Sequence, residues 1–319
     1  MKVLIGNAYH VLQKMEEQSV DCIVTSPPYW QVRDYGTEPV VWPGQMDCSM
    51  FHRAHDWREI VTPARGGVGK KSYIGACKDG ATNNRGHPTV SQMCRTCGAW
   101  CGQLGLEPMV EDYVRHLCMT FSQAWDVLKD TGSLWVNIGD TFSTNDSCGV
   151  KRKSRCMIPE RFALLMCETG WILRDFIVWK KGNNPMPENV SDRFTAKSYE
   201  MCYRFVKQPT GYYFNQLKEG NHNMRDVWDI PLRPSKDGHP APFPAELVER
   251  MVRSSCPPGG TVLDPFCGSG TTLEWCSRNG YECIGIELNP DYKPIIEQRV
   301  NTNQRQLEAY DDQRAFTGV

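Results

Sequence analysis

Two short segments carry residue types suited to chemistry. Asp264-Pro265-Phe266-Cys267-Gly268-Ser269-Gly270-Thr271-Thr272 follows the apolar run Thr261-Val262-Leu263 and precedes a helix-compatible stretch. A strand, a glycine turn and a helix in that order let backbone amides approach a small molecule closely. Far upstream, Thr25-Ser26-Pro27-Pro28-Tyr29-Trp30 follows the apolar run Val20 to Val24. Its two prolines stiffen a loop that ends in aromatic rings. A cofactor cradle and a rigid clamp of nucleobase width, set on one sheet, point to group transfer onto a planar amine.

Such an amine is a poor nucleophile, because its lone pair is delocalised into the ring. Catalysis has to draw the nitrogen towards tetrahedral geometry and hold it in line with the incoming group. The Ser26 hydroxyl and the Pro27 carbonyl can each accept a hydrogen bond from the amine, and Pro27 and Pro28 fix the backbone that presents them. Tyr29 offers a stacking face for a planar heterocycle, and its ring also favours a cation. No metal and no strong base is required. The plain structural alternative, a proline-stiffened loop after a strand, accounts for Pro-Pro alone but poorly for all six residues beside a cradle.

In the cradle, Asp264 ends one strand and Glu287 ends the next, the spacing at which an acid takes ribose hydroxyls. Gly268 and Gly270 permit a tight wrap, and Ser269 and Thr271 complete the turn into the helix. The turn reads Asp-Pro-Phe-x-Gly-x-Gly, not the dinucleotide fingerprint Gly-x-Gly-x-x-Gly. S-adenosylmethionine, which has no pyrophosphate, is therefore favoured over NAD or FAD.

The two segments together resemble motifs I and IV of the S-adenosylmethionine-dependent DNA amino-methyltransferases, which methylate an exocyclic amine of cytosine or adenine. The clamp precedes the cradle, as in the permuted beta group of that family. The resemblance implies that Asn7 reads the cofactor's adenine, although aspartate is commoner there. It also implies that Phe266 and the segment 239–244, with Phe243, pack around the cofactor. Serine at position 26 resembles the cytosine-N4 enzymes, whereas aspartate is usual in the adenine-N6 group. Trp179-Lys180 matches a strand end found near the target base, and Asn137 and Asp140 end the neighbouring strand.

The elements that must position these residues alternate along the chain. Strands are expected at Met1 to Ile5, Val20 to Val24, Ser133 to Ile138, Trp171 to Trp179, Ser198 to Lys207, Thr261 to Leu263 and Tyr281 to Ile286. Helical spacing runs from Glu111 to Leu128 through Tyr113, Leu117, Phe121 and Trp125, and recurs at Pro159 to Thr169, Phe243 to Ser254 and Asp291 to Asn303. Strands alternating with helices predict an α/β protein with a Rossmann-like, doubly wound, mainly parallel sheet. Asp140 to Met157, polar and glycine-containing, reads as a mobile loop. From about Val40 to Gln103 no sustained periodicity survives, which marks an inserted subdomain without a strong core of its own. The expected division is catalytic domain at 1–40 and 106–180, inserted module at 41–105, target-recognition region at 181–238 and cofactor-binding part at 239–319.

Fifteen cysteines in a chain of 319 residues without a secretion signal read as reduced thiols and metal ligands rather than disulfides. Cys22, Cys118, Cys167, Cys202, Cys276 and Cys283 lie in apolar or helical contexts and read as core. Cys94-Arg95-Thr96-Cys97-Gly98 is a knuckle suited to two thiolates on one tetrahedral ion. Cys48, with His55 or His52, offers the other half of a structural zinc site, Cys48, His55, Cys94 and Cys97, that would fold the insertion. His55-Asp56-Trp57 resembles a His-x-Trp found before such knuckles in one branch of the family. Cys77 and Cys101 are spare ligands.

The formal net charge of −1 gives no global basic field. Local clusters carry the case for duplex DNA as partner: Lys151, Arg152, Lys153 and Arg155, with Lys180 near the clamp and Arg193, Asn221, Asn223 and Arg225 in the recognition region. No apolar run is long enough to span a bilayer, so a cytoplasmic enzyme without membrane contact is expected, and the resemblance implies a prokaryotic or phage-encoded one. A homodimer and a cognate restriction enzyme are compatible partners. The leading expectation is a base-flipping N4-cytosine DNA methyltransferase, with an N6-adenine enzyme as the alternative. Methylation of RNA or protein glutamine, and a non-catalytic zinc-containing nucleic-acid regulator, are competing classes.

Overall fold

A computed structural model of the chain describes residues 1–35, 37–44, 54–62, 82–83, 89–143, 146–182, 197–232 and 244–301. The chain packs into two compact units. The first comprises Met1–Pro27, Phe121–Ile138 and the chain from Met166 onward; the second comprises Pro28–Thr120 and Gly139–Leu165. These divisions cut across those expected from sequence, since the inserted region is grouped with residues to either side of it.

An eight-stranded sheet organises the first unit. Its strands are β1 (Lys2–Ile5), β2 (Val20–Thr25), β3 (Leu128–Ile138), β4 (Ile172–Lys180), β5 (Tyr199–Val206), β6 (Val227–Asp229), β7 (Thr261–Asp264) and β8 (Glu282–Glu287). The order across the sheet is β1-β8-β7-β2-β3-β5-β4-β6. Neighbours from β1 through β3 run parallel, β5 is antiparallel to both β3 and β4, and β6 runs parallel to β4. The expected mainly parallel sheet is therefore present. Parallel strands are covered on both faces, which explains the apolar stretches 22–24 of β2 and 262–263 of β7.

Helices α1 (Ala8–Leu12), α2 (Val110–Val127), α3 (Ile158–Glu168), α4 (Ala245–Ser255) and α5 (Thr271–Arg278) connect these strands, with further helix at 292–301. On α4, Leu247, Val248, Met251 and Val252 repeat at helical spacing, and all are buried in a core that also holds Val24, Val262, Leu273 and Ile296. Asn7 caps α1 by accepting the Tyr9 amide at 2.9 Å, a cap of about 1 kcal/mol. Among the described residues no helix is long and apolar enough to cross a membrane.

The second unit departs from the expectation of a coreless insertion. Strands Val40–Trp42, Trp57–Thr62, Thr89–Cys94 and Trp100–Gly102 form an antiparallel sheet. Trp42 and Trp100 are buried, and both stack on His116 of α2, with ring centroids 5.0 and 5.7 Å away. His116 in turn meets the buried Glu107 carboxylate at 3.1 Å. Two indoles and one buried histidine–glutamate hydrogen bond supply the anchor that the polar, glycine-rich sequence conceals.

The stretch expected to be a mobile loop is strapped instead. The Ser143 amide donates to the Ser154 carbonyl, the Lys153 amide to the Ser143 carbonyl and the Cys156 amide to the Thr141 carbonyl, each at 2.9 Å, and Asp146 Oδ1 accepts the Arg152 amide at 2.7 Å. Most of the cysteines read as core are buried, but Cys167 is exposed on α3. Its neighbour Met166 takes the inward position.

Candidate active site and thiol cluster

Four strand ends of the first unit stand side by side. From one edge inward, β1 leads into Asn7, β8 ends at Glu287, β7 ends at Asp264 and β2 ends at Thr25, immediately before Ser26. Parallel pairing fixes this level: Leu263 lies opposite Ile23 and Asp264 opposite Gly285. The carboxyl edge of a parallel sheet is where α/β folds bind ligands, because the turns diverge there and open a crevice.

Asp264 is fully enclosed and satisfied. Its Oδ1 accepts the Thr25 hydroxyl at 2.6 Å and the Phe266 amide at 3.1 Å; its Oδ2 accepts the Thr272 hydroxyl at 2.7 Å. Burial pushes its carboxyl up to about 6, against the pull of those three donors. Glu287 Oε2 accepts the Gly268 amide at 2.9 Å and Oε1 the Asn289 amide at 2.9 Å. Burial raises this carboxyl as well. The glycine turn is thus tied at both sides, by Asp264 beneath and by Glu287 on the neighbouring strand.

Gly268 adopts φ +51°, and a Cβ built there would meet nothing within 4 Å. Gly270 adopts φ +85° as the cap of α5, and its Cβ would sit 2.9 Å from Ile296. One glycine faces open space and the other permits close packing. Ser269 and Thr271 flank Gly270; the Ser269 carbonyl and hydroxyl both accept Arg299 Nη1, at 3.3 and 3.2 Å, and Thr271 is buried. The Phe266 ring meets Phe121 edge-on at 6.3 Å.

In the clamp, Ser26 is half-buried and Pro27 buried. The Ser26 hydroxyl donates to Asn137 Oδ1 at 3.2 Å. Pro28 and Tyr29 belong to the second unit, where the Pro28 carbonyl accepts the Tyr113 hydroxyl at 2.8 Å. Gly105, at φ +94°, packs so closely that its Cβ would stand 3.3 Å from the Tyr29 carbonyl. Trp30 is anchored by donating to the Glu107 carbonyl at 2.8 Å. The contributions of Thr25, Thr272, Glu107 and Tyr113 were not foreseen. A threonine directly before the clamp was the one available signal.

A family model for DNA methylases, N6_N4_Mtase, matches residues 20–298. The chain belongs to this family, the S-adenosylmethionine-dependent DNA amino-methyltransferases. The type II methyltransferase M.Cfr9I of Citrobacter freundii is 32% identical over 322 residues, covering 92% of this chain and 86% of that protein. M.SmaI of Serratia marcescens is 29% identical over 328 residues, covering 94% and 90%. The cytosine-N4-specific PvuII DNA methyltransferase shares the fold at a TM-score of 0.60 and 19% identity, over 93% of this chain and 85% of that one. A DNA modification methylase of Thermus thermophilus, solved with S-adenosyl-L-methionine, does so at 0.57 and 22%, over 95% and 93%.

The remaining sequence-derived residues are dispersed. Lys180 ends β4, exposed and paired with Asp229 at 2.5 Å, and Arg225 is exposed before β6. Lys151, Arg152 and Lys153 are exposed on the strapped loop of the second unit. Cys48, Arg193 and Phe243 lie outside the described residues.

The knuckle also lies in the second unit. His55, Cys94 and Cys97 bring their ligand atoms within 4.8 Å of one another, with His55 Nδ1 and Cys97 Sγ 3.4 Å apart. Gly98, at φ +73°, closes the turn by donating to the Cys94 carbonyl at 3.0 Å, and the Ala99 amide points at Cys97 Sγ from 3.4 Å. Burial pushes the Cys94 thiol up, but the backbone of Cys97 and Thr96 and the His55 ring outweigh it and hold the thiol down to about 5. Gly44 approaches so closely that a Cβ there would meet the Cys97 carbonyl at 1.9 Å.

Proposed function

We propose that this enzyme methylates the exocyclic N4 of cytosine at a specific site in duplex DNA, after rotating the base out of the helix. The observation that carries the reading is the adjacency of Ser26 and Asp264 at neighbouring strand ends, tied through Thr25 at 2.6 Å. Open space at Gly268 beside the Glu287 carboxylate fits the amino-acid and ribose portions of S-adenosylmethionine, with Ser269, Thr271 and Phe266 around them and Asn7 assigned to the adenine. When bound, that molecule would supply an electrophilic methyl group for the amine nitrogen, with its sulfur as the leaving group and water taking the amine proton.

The protein's part is positional. Ser26 Oγ and the Pro27 carbonyl accept the amine's N–H bonds, which localises the nitrogen lone pair for attack. Pro27 and Pro28 keep these acceptors from relaxing, and Tyr29 stacks on the base. Serine in place of aspartate favours cytosine. Incubation of purified protein with DNA and labelled cofactor, followed by nucleoside analysis, tests this directly. N4-methylcytosine is expected; N6-methyladenine, or transfer to RNA or protein in preference to DNA, overturns it.

The thiol cluster is proposed as a structural zinc site. Tetrahedral zinc with bonds of about 2.3 Å to sulfur and 2.0 Å to nitrogen separates those two ligands by about 3.5 Å, close to the 3.4 Å between Cys97 Sγ and His55 Nδ1. The low Cys94 thiol supplies the thiolate that such an ion needs. Cys48 follows Gly44 by four residues, which makes it the fourth ligand of choice, with Cys77 and Cys101 as the spare candidates. One zinc per chain is expected by elemental analysis of protein purified without chelator, and none in Cys94→Ser/Cys97→Ser; a metal-free wild type overturns the site.

A further inference from the structure

Asn137 of β3 is 1% exposed and lies beside Ser26 within the same unit. Its Nδ2 donates to the Met201 carbonyl on β5 at 3.3 Å and approaches Cys202 Sγ at 3.6 Å. A carbonyl only accepts, so the amide cannot be turned over without setting two acceptors face to face. Oδ1 is therefore the atom presented to Ser26, and across their 3.2 Å contact the hydrogen comes from serine. A serine hydroxyl has one hydrogen. With it committed to Asn137, Ser26 Oγ meets any further group with a lone pair.

We infer that Asn137 is the positioning residue that makes Ser26 an obligate hydrogen-bond acceptor towards the target amine. The inference rests on the proposed role of Ser26. It answers a chemical difficulty in that role, since a serine free to rotate can present its hydrogen to the amine nitrogen and occupy the very lone pair that must attack. An ionised aspartate avoids this by having no hydrogen; serine avoids it through its neighbour. The amide has no useful basicity, so Asn137 fixes the hydroxyl without drawing its proton away. Met201 and Cys202 supply the rigid backing, because β5 is paired to β3 along its length, with Cys202 opposite Asn137.

Single-turnover methylation with Ser26→Ala, Asn137→Leu, Asn137→Asp and the double variant Ser26→Ala/Asn137→Leu tests it, alongside titration of S-adenosylmethionine binding. Asn137→Leu keeps the branched shape and loses the acceptor; a rate loss of about 10- to 100-fold is expected, with cofactor affinity held within about twofold. Asn137→Asp keeps an oxygen towards Ser26 and is expected to be faster than Asn137→Leu, although a buried carboxylate packs less well than leucine. The double variant should be no slower than Ser26→Ala by more than about threefold, because both changes remove one interaction. Multiplying losses, Asn137→Leu matching Asn137→Asp, or cofactor affinity falling in every Asn137 variant would reduce Asn137 to packing and overturn the inference. A slow Ser26→Ala beside a fast Asn137→Leu would overturn it while leaving the Ser26 reading intact. Wild-type rates in Ser26→Ala would remove both.

Discussion

Thr25 and Asp264, 239 residues apart, share a 2.6 Å hydrogen bond between the ends of two parallel strands. The same carboxylate holds the first residues of the glycine turn through the Phe266 amide and α5 through Thr272. One buried acid therefore sets the spacing between the cradle and the residue that precedes Ser26. Thr25→Val keeps the shape and deletes the donor. A buried acceptor that loses its partner costs about 1–3 kcal/mol, and urea denaturation should show a loss of that size. The methylation rate should fall further than cofactor affinity, because Ser26 shifts while the turn keeps Thr272. An unchanged midpoint would mean that the bond carries no load.

The same carboxylate sets a pH dependence. Burial raises Asp264 to about 6 in the folded chain, whereas an unfolded aspartate titrates near about 4. Between these values the folded state binds the extra proton, so this group's contribution to stability declines as pH rises through that window. A gap of about two units corresponds to roughly 3 kcal/mol. Asp264→Asn removes the titration. The stability of the wild type relative to this variant should therefore drop by an amount of that order between about pH 4 and about pH 7. A pH-independent difference between the two proteins would show that the acid is not desolvated as described.

How far the sequence reached depends on the range of the interactions involved. β2, β7, the glycine turn and Glu287 were legible because each is a local pattern: a largely apolar run, a tight turn, an acid at the next strand end. The second unit was not. Its described strands are two to six residues long, and the side chains that anchor it, Trp42, Trp100, His116 and Glu107, come from segments that only folding brings together. The strapped loop failed as a reading for a related reason, since backbone pairing such as Ser143 with Ser154 leaves no trace in composition. Asn137 was visible as a strand end; its tie to Ser26 was not, since that depends on the orientation given by Met201.

Gly268 and Gly270 should respond differently to alanine. Both lie at positive φ, which costs a non-glycine residue about 1 kcal/mol or more. Gly270→Ala also drives a methyl against Ile296, so its stability loss should be the larger, about 2–4 kcal/mol. Gly268→Ala points into open space and should fold with the smaller loss. Its methyl would stand where the cofactor is proposed to lie, and S-adenosylmethionine affinity should fall by about tenfold or more, roughly 1.4 kcal/mol. Calorimetry of both variants separates the two effects; intact affinity in Gly268→Ala would place the cofactor elsewhere.

Lys151, Arg152 and Lys153 test how DNA is held. All three are exposed, and the loop that presents them is pinned through Asp146 and the Ser143–Ser154 pairing, so their side chains can be removed without undoing it. Lys153 already sits at φ +69°, a conformation as strained for lysine as for alanine. Each phosphate contact contributes about 0.9 to the slope of log affinity against log salt on duplex DNA. Replacing all three by alanine should therefore lower that slope by about 2–3 and weaken binding to cognate and unrelated duplexes alike. Binding isotherms across a salt series measure both quantities. A loss confined to the cognate sequence would instead assign these residues to base reading, and an unchanged slope would leave the loop outside the DNA interface.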